Sequence, residues 1–170
     1  MGPERIMSKM AKKIANSAML VALALIFSYV EVLIPFSFGI PGIKLGLANI
    51  VVVTGLYILK PREVLGILVA RIILVSFLFA GMSTMIYSLA GGILSFGIML
   101  LLKKSKGFST IGISIAGGIA HNIGQFIVAA LVVESLNIFY YMPVLMVSGL
   151  ITGMLIGIIG QRVCNILEKI

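Results

Sequence analysis

The chain has 170 residues, 61% of them hydrophobic and 11% charged, with a formal net charge of +8 and a mean hydropathy of +1.23. A soluble domain of this length could not hide so much apolar surface, so the composition specifies a single-domain, all-α integral membrane protein. The single cysteine, Cys164, excludes an intrachain disulfide and most metal motifs.

Met1–Lys13 is a short basic start carrying Arg5, Lys9, Lys12 and Lys13, ahead of a membrane domain over 14–170. The first apolar segment is about twice the length of a signal-peptide core and lacks a small-residue cleavage pattern, so it reads as a retained span. Six apolar runs follow one another: Ile14–Ile34, Ile43–Leu59, Val64–Ala80, Met82–Leu102, Thr110–Val133 and Pro143–Val163. Each approaches the ~20 residues needed to cross a hydrocarbon core. The runs are separated by Pro35–Gly42, Lys60–Glu63, a tight turn at Gly81, Lys103–Ser109 and Glu134–Met142. The expected fold is a six-transmembrane-helix bundle.

Lysine and arginine set the orientation. Eleven of the thirteen fall in the N-terminal segment, the 60–63 loop, the 103–106 loop and the C-terminal end. With six spans all four regions lie on one side, so both termini are expected to be cytoplasmic. The intervening loops carry none. This pattern makes the positive charge topological, with anionic membrane lipid rather than nucleic acid as its natural contact.

Two basic residues stand apart. Lys44 lies at the outer start of the second span and can snorkel to the interface. Arg71 lies near the middle of the third, where a charge faces the interior and has a partner. Glu31, toward the outer end of the first span, can reach either, whereas Glu134 is expected in water. Small residues mark packing lines. Ala11, Ala15, Ala18 and Ala22 form one stripe on the first helix, and Gly149, Gly153 and Gly157 form another on the sixth. Such lines let helices approach closely, either inside the bundle or against a partner. A short echo, SLAGGIL at 88–94 and SIAGGIA at 114–120, suggests that the fourth and fifth helices nearly touch at Gly91, Gly92, Gly117 and Gly118.

The fifth span holds the densest polar group. His121, Asn122 and Gln125 share a helical face, and lipid would penalise that face by several kcal/mol for each unsatisfied group. It must look into protein or a wet cavity. Placed by depth, Glu31, Lys44, Asn49, Arg71, Tyr87, Ser88, His121, Asn122 and Gln125 collect in the outer half of the membrane, beneath the loop PFSFGIPGIK. A cavity with a few converging polar groups suits a small-molecule solute; a satisfied network that locks the bundle, or a proton path through His121 and Glu31, would use the same residues. On the binding reading, leucine at Asn122 or Gln125 weakens binding with little loss of stability. Catalysis is not expected. The chain has no aspartate, so no aspartate-rich magnesium–diphosphate motif exists, and its one histidine and one cysteine lie in different spans. No Walker A pattern is present, so active transport would need a partner, and we expect no resident cofactor or metal.

With those residues in place, GIPGIKLGLANI at 39–50 and GGIAHNIGQ at 117–125 resemble the signatures of the Gx transporter family, also labelled heptaprenyl diphosphate synthase component I. The likeness runs from about Ala18 to Gly160. That family is similar in turn to the substrate-binding S-components of energy-coupling factor (ECF) transporters. The resemblance implies a vitamin-sized ligand in a pocket open to the outside and capped by the loop after helix one. It also implies a first helix whose AxxxA pattern, matched by Ala18–Ala22, docks on a transmembrane coupling subunit served by an ATPase pair; Ala15 of this chain continues that stripe and is expected to dock with it. The implied location is the bacterial cytoplasmic membrane. Family members further resemble a component of flavin-based extracellular electron-transfer loci in Gram-positive bacteria. A flavin- or quinone-precursor ligand, or a non-transporting electron-transfer or prenyl-transfer subunit, is the alternative this implies.

Overall fold

The computed structural model describes residues 3–33, 46–105, 107–133 and 136–167. They fold into six α-helices: α1 (Pro3–Leu33), α2 (Asn49–Ile58), α3 (Pro61–Val75), α4 (Met82–Ser105), α5 (Thr110–Val133) and α6 (Met142–Leu167). No strand occurs among the described residues, in keeping with the all-helical expectation. Three helical stretches, Met82–Ser105, Thr110–Val132 and Ile138–Ile166, are long and apolar enough to cross a membrane.

Helix α1 continues back through the basic segment to Pro3, because nothing between Pro3 and Ile14 breaks it. A proline in the first turn lacks only an N–H that the helix would leave unused. Its inner face is set by Leu20, Val21, Ala24, Phe27 and Ser28, spaced at three and four. Ala24 has 0% exposure and packs with Val51 of α2 and Ile67 of α3. The opposite face carries Ala11, Ala15, Ala18 and Ala22, all exposed.

The expected second span is not one helix. Within the run Ile43–Leu59, the described residues begin with a turn at Gly46, whose φ is +70°, followed by the ten-residue helix α2. Glycine tolerates that left-handed conformation where an L side chain would be strained. Ten residues rise only ~15 Å, half the ~30 Å hydrocarbon thickness. Residues Ile50 through Leu56 are all buried, so α2 is the centre of the core rather than a lipid-facing element. At its far end Lys103 donates to the Leu56 carbonyl and sits 4.9 Å over the Tyr57 ring. A cation there complements the negative end of the helix dipole.

The third run starts earlier than expected, at Pro61, with Lys60 extended as its N-cap. It then loosens into one π-helical turn at Ser76–Ala80, closed by Gly81 N–H donating to Ser76 O at 2.9 Å. The turn expected at Gly81 is present, with φ at +81°. The expected connection before the last span contains a 3₁₀ turn, Leu136–Tyr141. The loop 35–42, Lys44 and Glu134 lie outside the described residues.

Helix α5 packs most extensively against α4 and α6, and glycines set both contacts. A Cβ on Gly124 would lie 2.7 Å from Ala90 O and 2.8 Å from Gly91 Cα. On the other side, a Cβ on Gly153 would lie 2.8 Å from Ile115 Cα, and one on Gly157 2.8 Å from Ile111 Cα. The glycine line of α6 therefore packs internally, by close backbone approach. The echo is only half realised. Gly91 and Gly117 do lie between α4 and α5, but Gly92 faces Ile72 of α3 and Gly118 faces Gly149 of α6. Seven similar residues on two helices need not share a contact face.

These contacts also gather the charge. Lys103 touches Leu56, Leu59 packs beside Ala24, and Gly157 rests on Ile111. The ends carrying Lys60, Arg62, Lys104 and Arg162 thus lie together at one end of the bundle. At the other end Tyr29 of α1 stacks at 5.0 Å on Phe79, just after α3.

Candidate functional site

A cavity of ≈ 170 Å³ runs along the inside of the bundle, from Glu31, Thr84 and Ser88 at the end away from those basic residues to Met99 and Ser114, about one turn from the basic ends of α4 and α5. All six helices line it. The C-terminal part of α1 contributes Ser28 and Glu31, the turn and start of α2 contribute Gly46 and Asn49, and α3 contributes Arg71. From α5 come Ser114, Gly117, Gly118, His121, Asn122 and Gln125, at steps of three and four that fall on one helical face. The broken second run is what brings α2's first turn to the cavity wall. Irregular backbone at membrane depth is tolerated where it is buried in protein or lines a cavity.

Arg71 is the centre of the wall. It keeps 9% exposure, its Nε has no hydrogen-bond partner, and one Nη reaches Asn49 Oδ1 at 3.4 Å. The Glu31 carboxylate accepts a hydrogen bond from Gly46 N–H and is close enough to Arg71 to act on it electrostatically. Glu31 therefore ties the end of α1 to the turn before α2. Carboxylates offer about four lone-pair sites, so this bond leaves capacity for others.

Of the eight residues singled out for ligand contact, the structure brings six to one cavity: Glu31, Asn49, Arg71, His121, Asn122 and Gln125. Tyr87 is not among them. One residue turns the helix by about 100°, and it is Ser88 that lines the cavity instead. Asn122 differs from its neighbours. Its Nδ2 donates to Leu145 O of α6 at 2.6 Å and would stand 3.0 Å from a Cβ on Gly149. Asn122 is thus a clasp between α5 and α6 as well as a lining group, so the expectation that leucine costs little stability fits Gln125 better than Asn122.

Sequence reading missed the hydroxyls. Ser28, Ser76, Thr84, Ser95, Ser114 and Thr152 join Ser88 around the cavity. A lone hydroxyl in an apolar helix satisfies itself on a carbonyl one turn back, as Ser28 does on Ala24 O at 2.8 Å and Thr152 on Ser148 O at 2.9 Å. The available signal was Ser114, which shares the spacing of the α5 polar face. The arrangement offers recognition chemistry: one buried guanidinium, one carboxylate, amides and a ring of hydroxyls against a few apolar side chains.

Among known families, residues 20–163 match the one described as heptaprenyl diphosphate synthase component I. The match covers most of the chain, which therefore belongs to that family. No curated protein and no solved structure matches the chain.

Proposed function

We propose that this family member binds a small solute inside the membrane, as an S-component-like subunit of an energy-coupling factor type uptake transporter. The observation that carries the reading is the cavity centred on Arg71, where a buried cation, a carboxylate and several amides converge from separate helices. Polar groups at membrane depth mark substrate paths more often than they serve packing alone. The exposed stripe of Ala15, Ala18 and Ala22 supports the second half of the reading. Small side chains on an outward face suit close approach by a coupling subunit's helix. In this reading the chain carries no catalytic step, and an ATPase pair on the partner supplies the energy.

The same reading gives six membrane crossings, with helix α2 forming only the half of the second crossing nearest the basic end, and both termini in the cytoplasm. The clustering of Lys60, Arg62, Lys104 and Arg162 at one end supports that orientation. The end of the cavity at Glu31 and Ser88 then faces the outside of the cell membrane. Native mass spectrometry of gently purified protein tests the binding: a retained non-lipid solute is expected. Copurification tests the assembly. An ATPase pair with a membrane coupling protein supports transport, whereas a redox or prenyl-transfer enzyme in their place overturns it.

A further inference from the structure

We propose that the solute is a small organic carboxylate whose anionic group docks on the Arg71 guanidinium, beside the N-terminus of α2. This rests on the solute-binding reading and gives it a chemical class. Arg71 lines the cavity and keeps 9% exposure, so an acceptor inside the cavity can reach its guanidinium. That group has five N–H donors to place. Nε has no hydrogen-bond partner, and the contact to Asn49 Oδ1 is long at 3.4 Å and goes to a neutral amide. A buried cation that donates so little is costly, and an acceptor carrying negative charge is what it lacks. Glu31 does not fill that role. Its carboxylate accepts from Gly46 N–H and has a further interaction besides. It acts on Arg71 electrostatically, which eases the burial of the cation without giving Nε a partner.

The backbone adds to the attraction. Asn49 is the first residue of the ten-residue α2, and the N-cap, Ala48, makes no side-chain cap. The positive end of the helix dipole therefore lies beside the guanidinium and favours an anion there. Among anionic groups a carboxylate fits this donor best, because its two oxygens match the fork of one guanidinium and it brings a single charge. A phosphate monoester would bring nearly two charges to the same single fork. Size limits the rest of the solute. A cavity of ≈ 170 Å³ is close to the roughly 150 Å³ of an engineered cavity that holds one benzene molecule. One ring or one short branched chain fits. Inward of Asn49 the cavity reaches Val53 and Met99, beside Ser95 and Ser114, surroundings that suit a body with few polar atoms of its own.

The test uses the full chain purified in detergent micelles, with benzoate, phenylacetate and isovalerate as probes in calorimetric titrations, each beside its primary amide. The amide keeps the shape and removes the charge. At least one acid should bind saturably, and its amide at least about tenfold more weakly, since hydrogen bonds to charged groups are the stronger ones. Asn49→Asp supplies a variant that leaves the buried cation in place. It sets a carboxylate on Arg71 from within the chain, so the acid should lose about tenfold or more in affinity. The melting temperature of the free protein should hold or rise. Equal binding of acid and amide overturns the proposal, as does an acid affinity that Asn49→Asp leaves unchanged. If phenyl phosphate binds and none of the acids does, the carboxylate class falls. If acids and amides bind alike and Gln125→Met weakens both, the cavity remains the solute site without an anion at Arg71. Failure of every acid while a non-lipid solute is retained in native mass spectrometry overturns the class alone. Failure of every probe with no solute retained removes the solute-binding reading itself.

Discussion

Arg71 of α3 and Asn49, the first residue of α2, meet at 3.4 Å beside the cavity, where the guanidinium Nε has no partner and Glu31 supplies the opposing charge. Removing one member of a buried charge pair strands the other and costs about 3–5 kcal/mol. Arg71→Leu should therefore lower the melting temperature in detergent far more than Lys60→Leu, whose side chain is exposed at the basic end. Denaturation of the two variants side by side checks this. Equal stabilities would mean that Arg71 is solvated rather than paired.

The glycine contacts give a second prediction with its own control. A methyl at Gly124 meets backbone atoms of Ala90 and Gly91, which cannot turn aside as a side chain could. Gly124→Ala should destabilise by about 1–3 kcal/mol, the usual cost of overpacking. At Gly97, by contrast, nothing stands within 4 Å of the added methyl. Gly97→Ala should be neutral or stabilise by about 0.4–1 kcal/mol, since alanine loses less chain entropy in a helix. Similar losses at both positions would show that helix spacing here is not fixed by α4–α5 contact.

How much of this was legible beforehand follows from the kind of signal each residue gives. His121, Asn122 and Gln125 could be placed together because helical period and apolar context leave a polar face nowhere to go but inward. Arg71 was legible for the same reason, as a charge deep in an apolar run. The break before α2 was not, because Ile43–Leu59 is apolar apart from Lys44, Asn49 and Thr54, and hydropathy does not distinguish a short buried helix from a span. Only the left-handed φ of Gly46 reveals the turn. Tyr87 was misplaced by one residue, since its depth was inferred without the rotation of α4. The hydroxyls stayed silent because each can satisfy itself on its own helix.

Topology can be checked by labelling. In a Cys164→Ala background, Ser105→Cys should resist a membrane-impermeant thiol reagent in whole cells and react after permeabilisation. Ser105 is exposed at the end of α4, beside the basic cluster, so access to water is not limiting. Labelling in intact cells would reverse the orientation or change the number of crossings.

The alanine stripe makes a prediction that separates fold from assembly. Ala18 is exposed on the face of α1 opposite Ala24, so a larger side chain there points away from the bundle. Ala18→Trp should leave the isolated protein's melting temperature unchanged within about 0.5 kcal/mol equivalent, as surface changes do. It should abolish copurification with a coupling subunit, because the indole would hold the two helices apart. A fall in intrinsic stability would show that the stripe packs within the chain.

The last prediction distinguishes two neighbours on α5. Asn122 spends its amide on Leu145 O at 2.6 Å, where α5 and α6 close around Gly149. Leucine there would remove the donor and press a branched side chain toward Gly149. The lost partner alone costs about 1–3 kcal/mol if the buried carbonyl is left short, and crowding adds to it. Asn122→Leu should thus lower stability before any ligand is present. Gln125 lines the cavity one turn nearer the end of the helix, with its Cγ 2.8 Å from where a Cβ on Gly91 would stand. Methionine conserves its length and volume, a kind of swap that usually costs under about 1.5 kcal/mol. Gln125→Met should therefore keep the melting temperature of the free protein while weakening solute binding about tenfold, the loss of roughly 1.4 kcal/mol of hydrogen bonding. Thermal shifts with and without the retained solute measure both quantities in one experiment. If Asn122→Leu is as stable as the parent and Gln125→Met is not, the roles are exchanged. If neither changes affinity, the solute does not rest on this helix.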